Sequence, residues 1–251
     1  MISLYNIKKQ FDTGPNVIDG ITLEIPTGES TCIIGQSGQG KSILLKMIIG
    51  LIQPTEGSLM VNGIEVTDLH ENELHKIFKQ CGYVFQSAAL LDSLNVFENI
   101  ALSLLEHGMP EEKALSIIQE KLKLVNLPQS ILTKYPDQLS GGMKKRVGLA
   151  RTLVSEPSVI LYDEPTTGLD PITTRIVHEL MYTMQEKMKL TSVIISHNTD
   201  IFKYVDNVAL LHKGQIQFFG KAHTVWDSDN PYMQQFIHGS PHGPIETESS
   251  P

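Results

Sequence analysis

Gly35-Gln36-Ser37-Gly38-Gln39-Gly40-Lys41-Ser42 is the stretch on which the fold turns. It fits the spacing Gly, four residues, Gly-Lys-Ser. At an average glycine usage of about 7%, this pattern arises by chance in roughly one chain in a hundred of this length. The flanking residues sharpen it. Before it, Ser30-Thr31-Cys32-Ile33-Ile34 is apolar without alternation, as a strand buried on both faces is. After it comes an amphipathic, helical pattern. Glycines let the backbone wrap so that successive N–H groups converge on phosphate oxygens, and a helix starting near Lys41 adds unsatisfied N–H groups and a positive dipole end. Lys41 is expected to reach the β- and γ-phosphates of a nucleotide, and the Ser42 hydroxyl to ligate Mg²⁺.

Two more segments resemble the strand before the glycines: Val159-Ile160-Leu161-Tyr162 and Ser192-Val193-Ile194-Ile195. Short apolar runs separated by helical patterns predict an α/β protein with a central, mostly parallel sheet. The first of these runs ends in Asp163-Glu164, at the strand end where α/β sheets bind ligands. Asp163 is expected to hold Mg²⁺, directly or through water, and Glu164 to polarise the attacking water. Near the N-terminus Ile2 and Leu4, then Ile21, Leu23 and Ile25, alternate as half-buried antiparallel strands do. Helical spacing links Leu115, Ile118, Leu122 and Val125 behind Pro110, then Met143, Val147, Ala150 and Val154 behind Ser140. A third helix starts at Asp170-Pro171 and carries Ile176, Leu180, Met184 and Met188. Residues from about 88 to 155 thus form a helical insertion. Asn207–Leu211 and Gln215–Phe219 form a hairpin around Lys213-Gly214. There is no internal repeat, and 240–251, rich in Pro, Ser and Glu, is expected to be mobile or docked on a partner.

Composition excludes several classes. Lys and Arg number 20 against 28 Asp and Glu, a formal charge of −8, which argues against a nucleic-acid binder relying on bulk charge. Cys32 and Cys81 cannot build a disulfide framework or a zinc site of the usual spacing, and Cys32 in its apolar run is read as packing. Ile43–Ile52, the longest apolar stretch, is broken by Lys46 and is well short of the roughly 20 residues of a membrane span. The opening Met-Ile-Ser-Leu-Tyr-Asn lacks a charged n-region and an apolar h-region, so no signal peptide and a reducing compartment are expected. Lys144-Lys145-Arg146 is read as a solvated face, and His70, His75, His212, His223 and His238, without metal spacing, as surface residues.

Leu139-Ser140-Gly141-Gly142-Met143 resembles the signature motif of ATP-binding cassette ATPases. With the phosphate loop and Asp163-Glu164, nearly all of residues 1–240 resembles the nucleotide-binding domain of an ABC transporter. The resemblance implies a P-loop NTPase fold of the ABC ATPase type: a central mostly parallel sheet, an N-terminal antiparallel β-subdomain and a helical insertion, with the domain at 1–239. It also implies an ATPase using ATP and Mg²⁺. Phe11 matches the aromatic residue stacked on adenine, and Gly35 through Ile43 the phosphate loop. Gln86, after Tyr83-Val84-Phe85, matches the Q-loop glutamine that contacts Mg²⁺ or the water and signals to the membrane partner. Asp170 matches the D-loop, and His197 the switch histidine between Glu164 and the γ-phosphate. Ser140, a predicted N-cap, and Gly141-Gly142 expose an anion-binding helix start. In the family this site is completed in trans, so the chain is expected to form a head-to-tail homodimer closing on two ATP molecules.

Finer likenesses suggest the kind of transporter. Met143 followed by Lys144-Lys145-Arg146 resembles the ATPases of Mla-type phospholipid transporters, which work with MCE-domain proteins. The stretches Phe85–Asn99, Tyr162–Ile172 and Gln235–Gly239 with Gly243-Pro244-Ile245 are similar to that group. This implies a multi-span permease and an MCE-domain lipid-binding partner, no nucleic acid, and a peripheral place on the cytoplasmic face of the inner membrane. The alternatives are an ABC importer or exporter for an amino acid, metal or peptide, and a soluble non-transport ABC ATPase. Gln39 and Ile43 depart from the commonest phosphate-loop residues. Tyr162 is less apolar than most residues preceding the Mg²⁺ aspartate, and its hydroxyl needs a partner if buried.

Overall fold

The computed structural model describes residues 1–67 and 69–246, the side chain of Glu71 excepted. In chain order the strands are β1 (Ile2–Gln10), β2 (Asn16–Ile25), β3 (Ser30–Ile34), β4 (Glu56–Val61), β5 (Ile64–Glu65), β6 (Cys81–Val84), β7 (Val159–Asp163), β8 (Thr191–Ile195), β9 (Asn207–His212) and β10 (Gln215–Lys221). The α-helices are α1 (Lys41–Ile48), α2 (Leu74–Phe78), α3 (Val96–Glu106), α4 (Glu111–Leu124), α5 (Gly141–Leu153), α6 (Pro171–Met188) and α7 (Pro231–His238). The chain divides into one unit of Met1–Phe78 with Thr191–Pro251 and another of Lys79–Leu190. This is the expected α/β class, with antiparallel and parallel strands.

In the first unit, β1 pairs antiparallel with β2 and β4, with Ile2 opposite Ile25, Leu4 opposite Leu23 and Ile7 opposite Ile21. All six of these side chains are buried, so the period-two pattern marks one face against the core. The same unit holds the order β10-β9-β3-β8, where β3 runs parallel to both β8 and β9. Every residue of β3, β8 and β9 is buried, which explains why these runs show no alternation. The β9–β10 hairpin turns at Lys213-Gly214, both at positive φ. His212 closes β9 and is buried rather than on the surface, its ring 5.6 Å from that of Tyr232. Burial, and then the Lys213 charge, hold its imidazole below the ordinary value.

Residues 240–246 fold back on α7. The Gln235 amide donates to the Ile245 carbonyl at 2.9 Å and accepts from the Ile245 N–H at 2.6 Å, and Glu246 pairs with Lys213 at 2.8 Å. This part of the expected mobile or partner-docked tail is therefore tied to its own chain, while 247–251 lie outside the described residues.

In the second unit β6 and β7 pair in parallel, with Val84 opposite Tyr162. Helix α3 starts on a reciprocal capping box between Asn95 and Glu98. Along α4 the buried positions are Ala114, Ile118, Lys121 and Leu122, whereas Leu115 is exposed; along α6 Val177, Leu180 and Met184 are among the buried positions and Ile176 is exposed. Each stripe is thus one residue out of phase with the sequence reading at one position, Ala114 packing in place of Leu115 and Val177 in place of Ile176. Helix α5 is buried nearly all round, including Lys145. The reading of Lys144-Lys145-Arg146 as a solvated face is corrected. Lys145 Nζ donates to the Gln86 carbonyl, and Arg146 donates to the carbonyls of Gly142 at 3.3 Å and Asn126 at 2.8 Å. Main-chain oxygens of neighbouring segments, Gln86 for Lys145 and Asn126 for Arg146, draw both cations inward.

Candidate functional site

In the first unit the phosphate loop leaves the carboxyl end of β3 and feeds α1. Gly40 stands at the N-cap with φ 89, a left-handed position at which a Cβ would also lie 2.9 Å from Ile18 Cδ1, so glycine is required there. Lys41 is buried at 5% exposure, and its ammonium donates to the carbonyls of Gly35 at 2.8 Å and Gln36 at 2.6 Å. The Gln39 amide oxygen accepts from the Lys213 N–H at 2.6 Å. A position that needs no side chain for phosphate binding therefore fastens the loop to the β9–β10 turn. Ser37 and Gly38 are exposed at the crest, and Gln36, Ser42 and Ile43 are half-buried.

Two other expected residues sit in this unit. His197 is exposed just beyond β8, and Ile195 is the register partner of Ile33, so His197 and Gly35 share one end of the parallel strands. Phe11 lies in the β1–β2 connection, 43% exposed, with Lys9 Nζ 5.0 Å from its ring centroid and its carbonyl accepting from Gly14. An open aromatic face with a cation beside it is competent to stack on a base.

The second unit brings Asp163, Glu164 and Gln86 together. Parallel pairing of β6 with β7 aligns their carboxyl ends. The Tyr83 hydroxyl donates to Asp163 Oδ2 at 2.8 Å. Burial first, then this bond and the Asp163 charge, push the Tyr83 phenol well above its ordinary range, so it acts as a fixed donor. Glu164 lies at φ 49, a conformation costing on the order of 1–3 kcal/mol for such a residue and concentrated at functional sites. Its Oε2 accepts from Gln86 Nε2 at 3.0 Å and from Thr167 Oγ1 at 3.1 Å. Sequence reasoning missed Tyr83, Thr167 and Lys145. Tyr83 and Lys145 act through contacts between residues far apart in the chain, and Thr167 through a local side-chain bond to Glu164. For Tyr83 the available signal was a hydroxyl one strand over from Asp163.

Ser140 caps α5, its Oγ accepting from the Met143 N–H at 3.3 Å, and Gly141 beside it is exposed while Gly142 is buried. Asp170 caps α6: Oδ1 accepts from the N–H groups of Ile172 and Thr173, both at 3.0 Å, and Oδ2 from the Thr173 hydroxyl at 2.6 Å. These bonds, the Thr173 hydroxyl first, hold its carboxyl below the ordinary value. The Asp170 carboxylate is thus engaged in shaping a helix start.

Ser42 in the first unit carries a hydroxyl, and Gln86 and Asp163 in the second carry amide and carboxylate oxygens, each a hard donor of the type Mg²⁺ takes. Among the described residues no group of three or more His, Cys, Asp or Glu could hold a metal by itself. No helix among the described residues is long and apolar enough to cross a membrane.

A family model described as ABC transporter matches residues 18–167. The probable ribonucleotide transport ATP-binding protein Mkl of Mycobacterium leprae is 38% identical over 246 residues, 97% of this chain and 70% of that protein. The methionine import ATP-binding protein MetN of Francisella tularensis is 39% identical over 247 residues, 96% of this chain and 70% of that protein. Among solved structures, the ATP-binding cassette MJ0796, seen as a dimer in a post-hydrolysis state bound to ADP and Pi, superposes with a TM-score of 0.82. It has 32% identity, over 88% of this chain and 99% of that one.

Proposed function

Since the chain belongs to the ABC transporter family and is an ATPase whose hydrolysis of ATP is coupled to transport, we propose that its cargo is phospholipid, moved by a permease with an MCE-domain lipid-binding partner. The subunit then works as a head-to-tail homodimer, peripheral on the cytoplasmic face of the inner membrane.

The observation that carries the catalytic assignment is the Gln86 amide on the Glu164 carboxylate at 3.0 Å, beside Asp163. In this reading Lys41 and the loop N–H groups hold the β- and γ-phosphates, and Phe11 stacks on adenine. Glu164 polarises the attacking water, Gln86 orients that carboxylate, and His197 contacts the γ-phosphate. Ser42, Gln86 and Asp163 would hold Mg²⁺, which would supply neutralisation of charge on the phosphate oxygens. Ser140, Gly141 and Gly142 address the nucleotide held by the other copy, and Asp170 shapes the start of α6 next to the dimer contact. Excluding water at closure strengthens each of these interactions.

The cargo assignment rests on Leu139–Val147, Phe85–Asn99, Tyr162–Ile172 and the residues around Gln235–Ile245. A second reading, transport of another solute, is favoured by the relatives named for ribonucleotide transport and methionine import. A mild-detergent pull-down from native membranes, with mass spectrometry of proteins and lipids, separates the two. Recovery of a permease, an MCE-domain protein and phospholipid supports the proposal; a permease without either refutes the cargo and leaves the ATPase. For the site, Glu164→Gln is expected to keep ATP binding, trap a closed dimer and slow hydrolysis by at least a hundredfold. Undiminished hydrolysis would remove Glu164 from its role.

A further inference from the structure

Side chains from one face of α5 hold the end of β6 and the loop that follows it. Thr152 Oγ1 donates to the Tyr83 carbonyl at 3.3 Å and Lys145 Nζ to the Gln86 carbonyl. The Arg151 guanidinium donates to the carbonyls of Ala88 at 2.9 Å and Ala89 at 2.7 Å. Positions 145, 148 and 152 recur at helical spacing, with Arg151 beside them. Gly148 lies in the middle of this face, where a Cβ would come within 3.1 Å of the Ala88 carbonyl oxygen, so helix and loop backbones approach closely. Ala88 and Ala89 have φ values of 63 and 47, a turn that is strained for alanine and held by Arg151.

Lys145 is the member of this set that reaches the loop at Gln86, whose side chain engages Glu164. A buried ammonium is a poor source of stability, because an apolar residue of its size usually serves packing as well or better. Burial lowers the pKa of Lys145 and the nearby Glu164 charge raises it, so the cation also faces the carboxylate that Gln86 contacts. Lys145 stands on the same helix that Ser140 caps, one turn on. A movement of that helix start therefore reaches the Gln86 main chain through one side chain.

We propose that Lys145 is a positioning residue for ATP hydrolysis: by fixing the Gln86 carbonyl it sets the pose from which the Gln86 amide engages the Glu164 carboxylate. The inference rests on the roles given above to Gln86 and Glu164, and it makes the signature helix of each copy a determinant of its own water-polarising group.

The test is steady-state ATP hydrolysis by the full chain, with kcat and KM measured for Lys145→Met, Lys145→Arg, Gln86→Ala, Glu164→Gln and the Lys145→Met/Gln86→Ala double variant. Misplacement of a catalytic group by about 1 Å costs up to roughly a hundredfold in rate, so Lys145→Met is expected to lower kcat about ten- to a hundredfold. KM for ATP should stay within about twofold and Lys145→Arg should restore most of the rate. In the Gln86→Ala background the same change should cost less than about twofold, since the two act as one unit. Full kcat in Lys145→Met, a loss shared equally between kcat and KM, or an undiminished loss in the Gln86→Ala background would each overturn the proposal. If Lys145→Met does not fold, Lys145→Gln carries the same test. Unchanged hydrolysis in both Gln86→Ala and Glu164→Gln would instead overturn the underlying reading of the site.

Discussion

Replacing Tyr162 with phenylalanine removes one oxygen from the interior and leaves the ring. Tyr162 is 1% exposed in β7, directly before Asp163, and among the described residues its hydroxyl has no hydrogen-bond partner. Burial pushes its phenol far above the ordinary value. Burying a hydroxyl without a partner costs about 1–3 kcal/mol on scales taken from protein mutants. Tyr162→Phe is therefore expected to stabilise the protein by about 1–2 kcal/mol. At roughly 2–4 °C per kcal/mol for a chain of this size, that corresponds to a rise in Tm of about 2–8 °C. The assay is thermal melting of both proteins side by side, with urea unfolding to check that the slope is unchanged, and ATP hydrolysis should stay within about twofold. A fall in Tm would refute the reasoning: it would mean that the hydroxyl has a buried water or other partner and helps to place Asp163.

Lys41→Ala should remove charge-assisted bonds worth about 1.5–3 kcal/mol each, weakening binding of a fluorescent ATP analogue by at least roughly tenfold; unchanged affinity would rule out its phosphate role. Ser140→Arg should leave ATP binding to the monomer intact but abolish ATP-dependent dimerisation in a Glu164→Gln background, read by light scattering. It should also cost about 1 kcal/mol through the lost cap. Gln235→Ala leaves both main-chain groups of Ile245 without their bonds, so residues 240–246 should detach, and amide exchange at Ile245 should become fast. The loss of global stability should stay below the roughly 1.5–3 kcal/mol of the Ile245 side chain's burial, and slow exchange at Ile245 would show that other contacts hold the segment.

Features set by local chain geometry were legible in the sequence. The phosphate loop needs glycines at particular turns, the β9–β10 hairpin needs Lys213-Gly214, and Ser140, Asp170 and Pro171 announce helix starts, so each was readable within a few residues. Features set by distant acceptors were not. Lys145 and Arg146 carry charges that in isolation belong in water, and they turn inward because the carbonyls of Gln86 and Asn126 await them. His212 is buried because β9 is covered on both faces, which the residue type does not disclose. Leu115 and Ile176 fit an apolar stripe, yet Ala114 and Val177, one position away on each helix, pack in their stead. The contacts of Tyr83 with Asp163 and of Gln86 with Glu164 have the same origin, since the β6–β7 pairing joins residues about eighty positions apart.

The Lys41 ammonium rests on the carbonyls of Gly35 and Gln36. A lysine side chain carries about 2 kcal/mol of rotamer entropy, and here that freedom is already lost on folding rather than on meeting a phosphate. A nucleotide docking on this loop meets a charge whose direction is set in advance. Calorimetry should register this as a smaller entropic penalty than a swinging lysine would give.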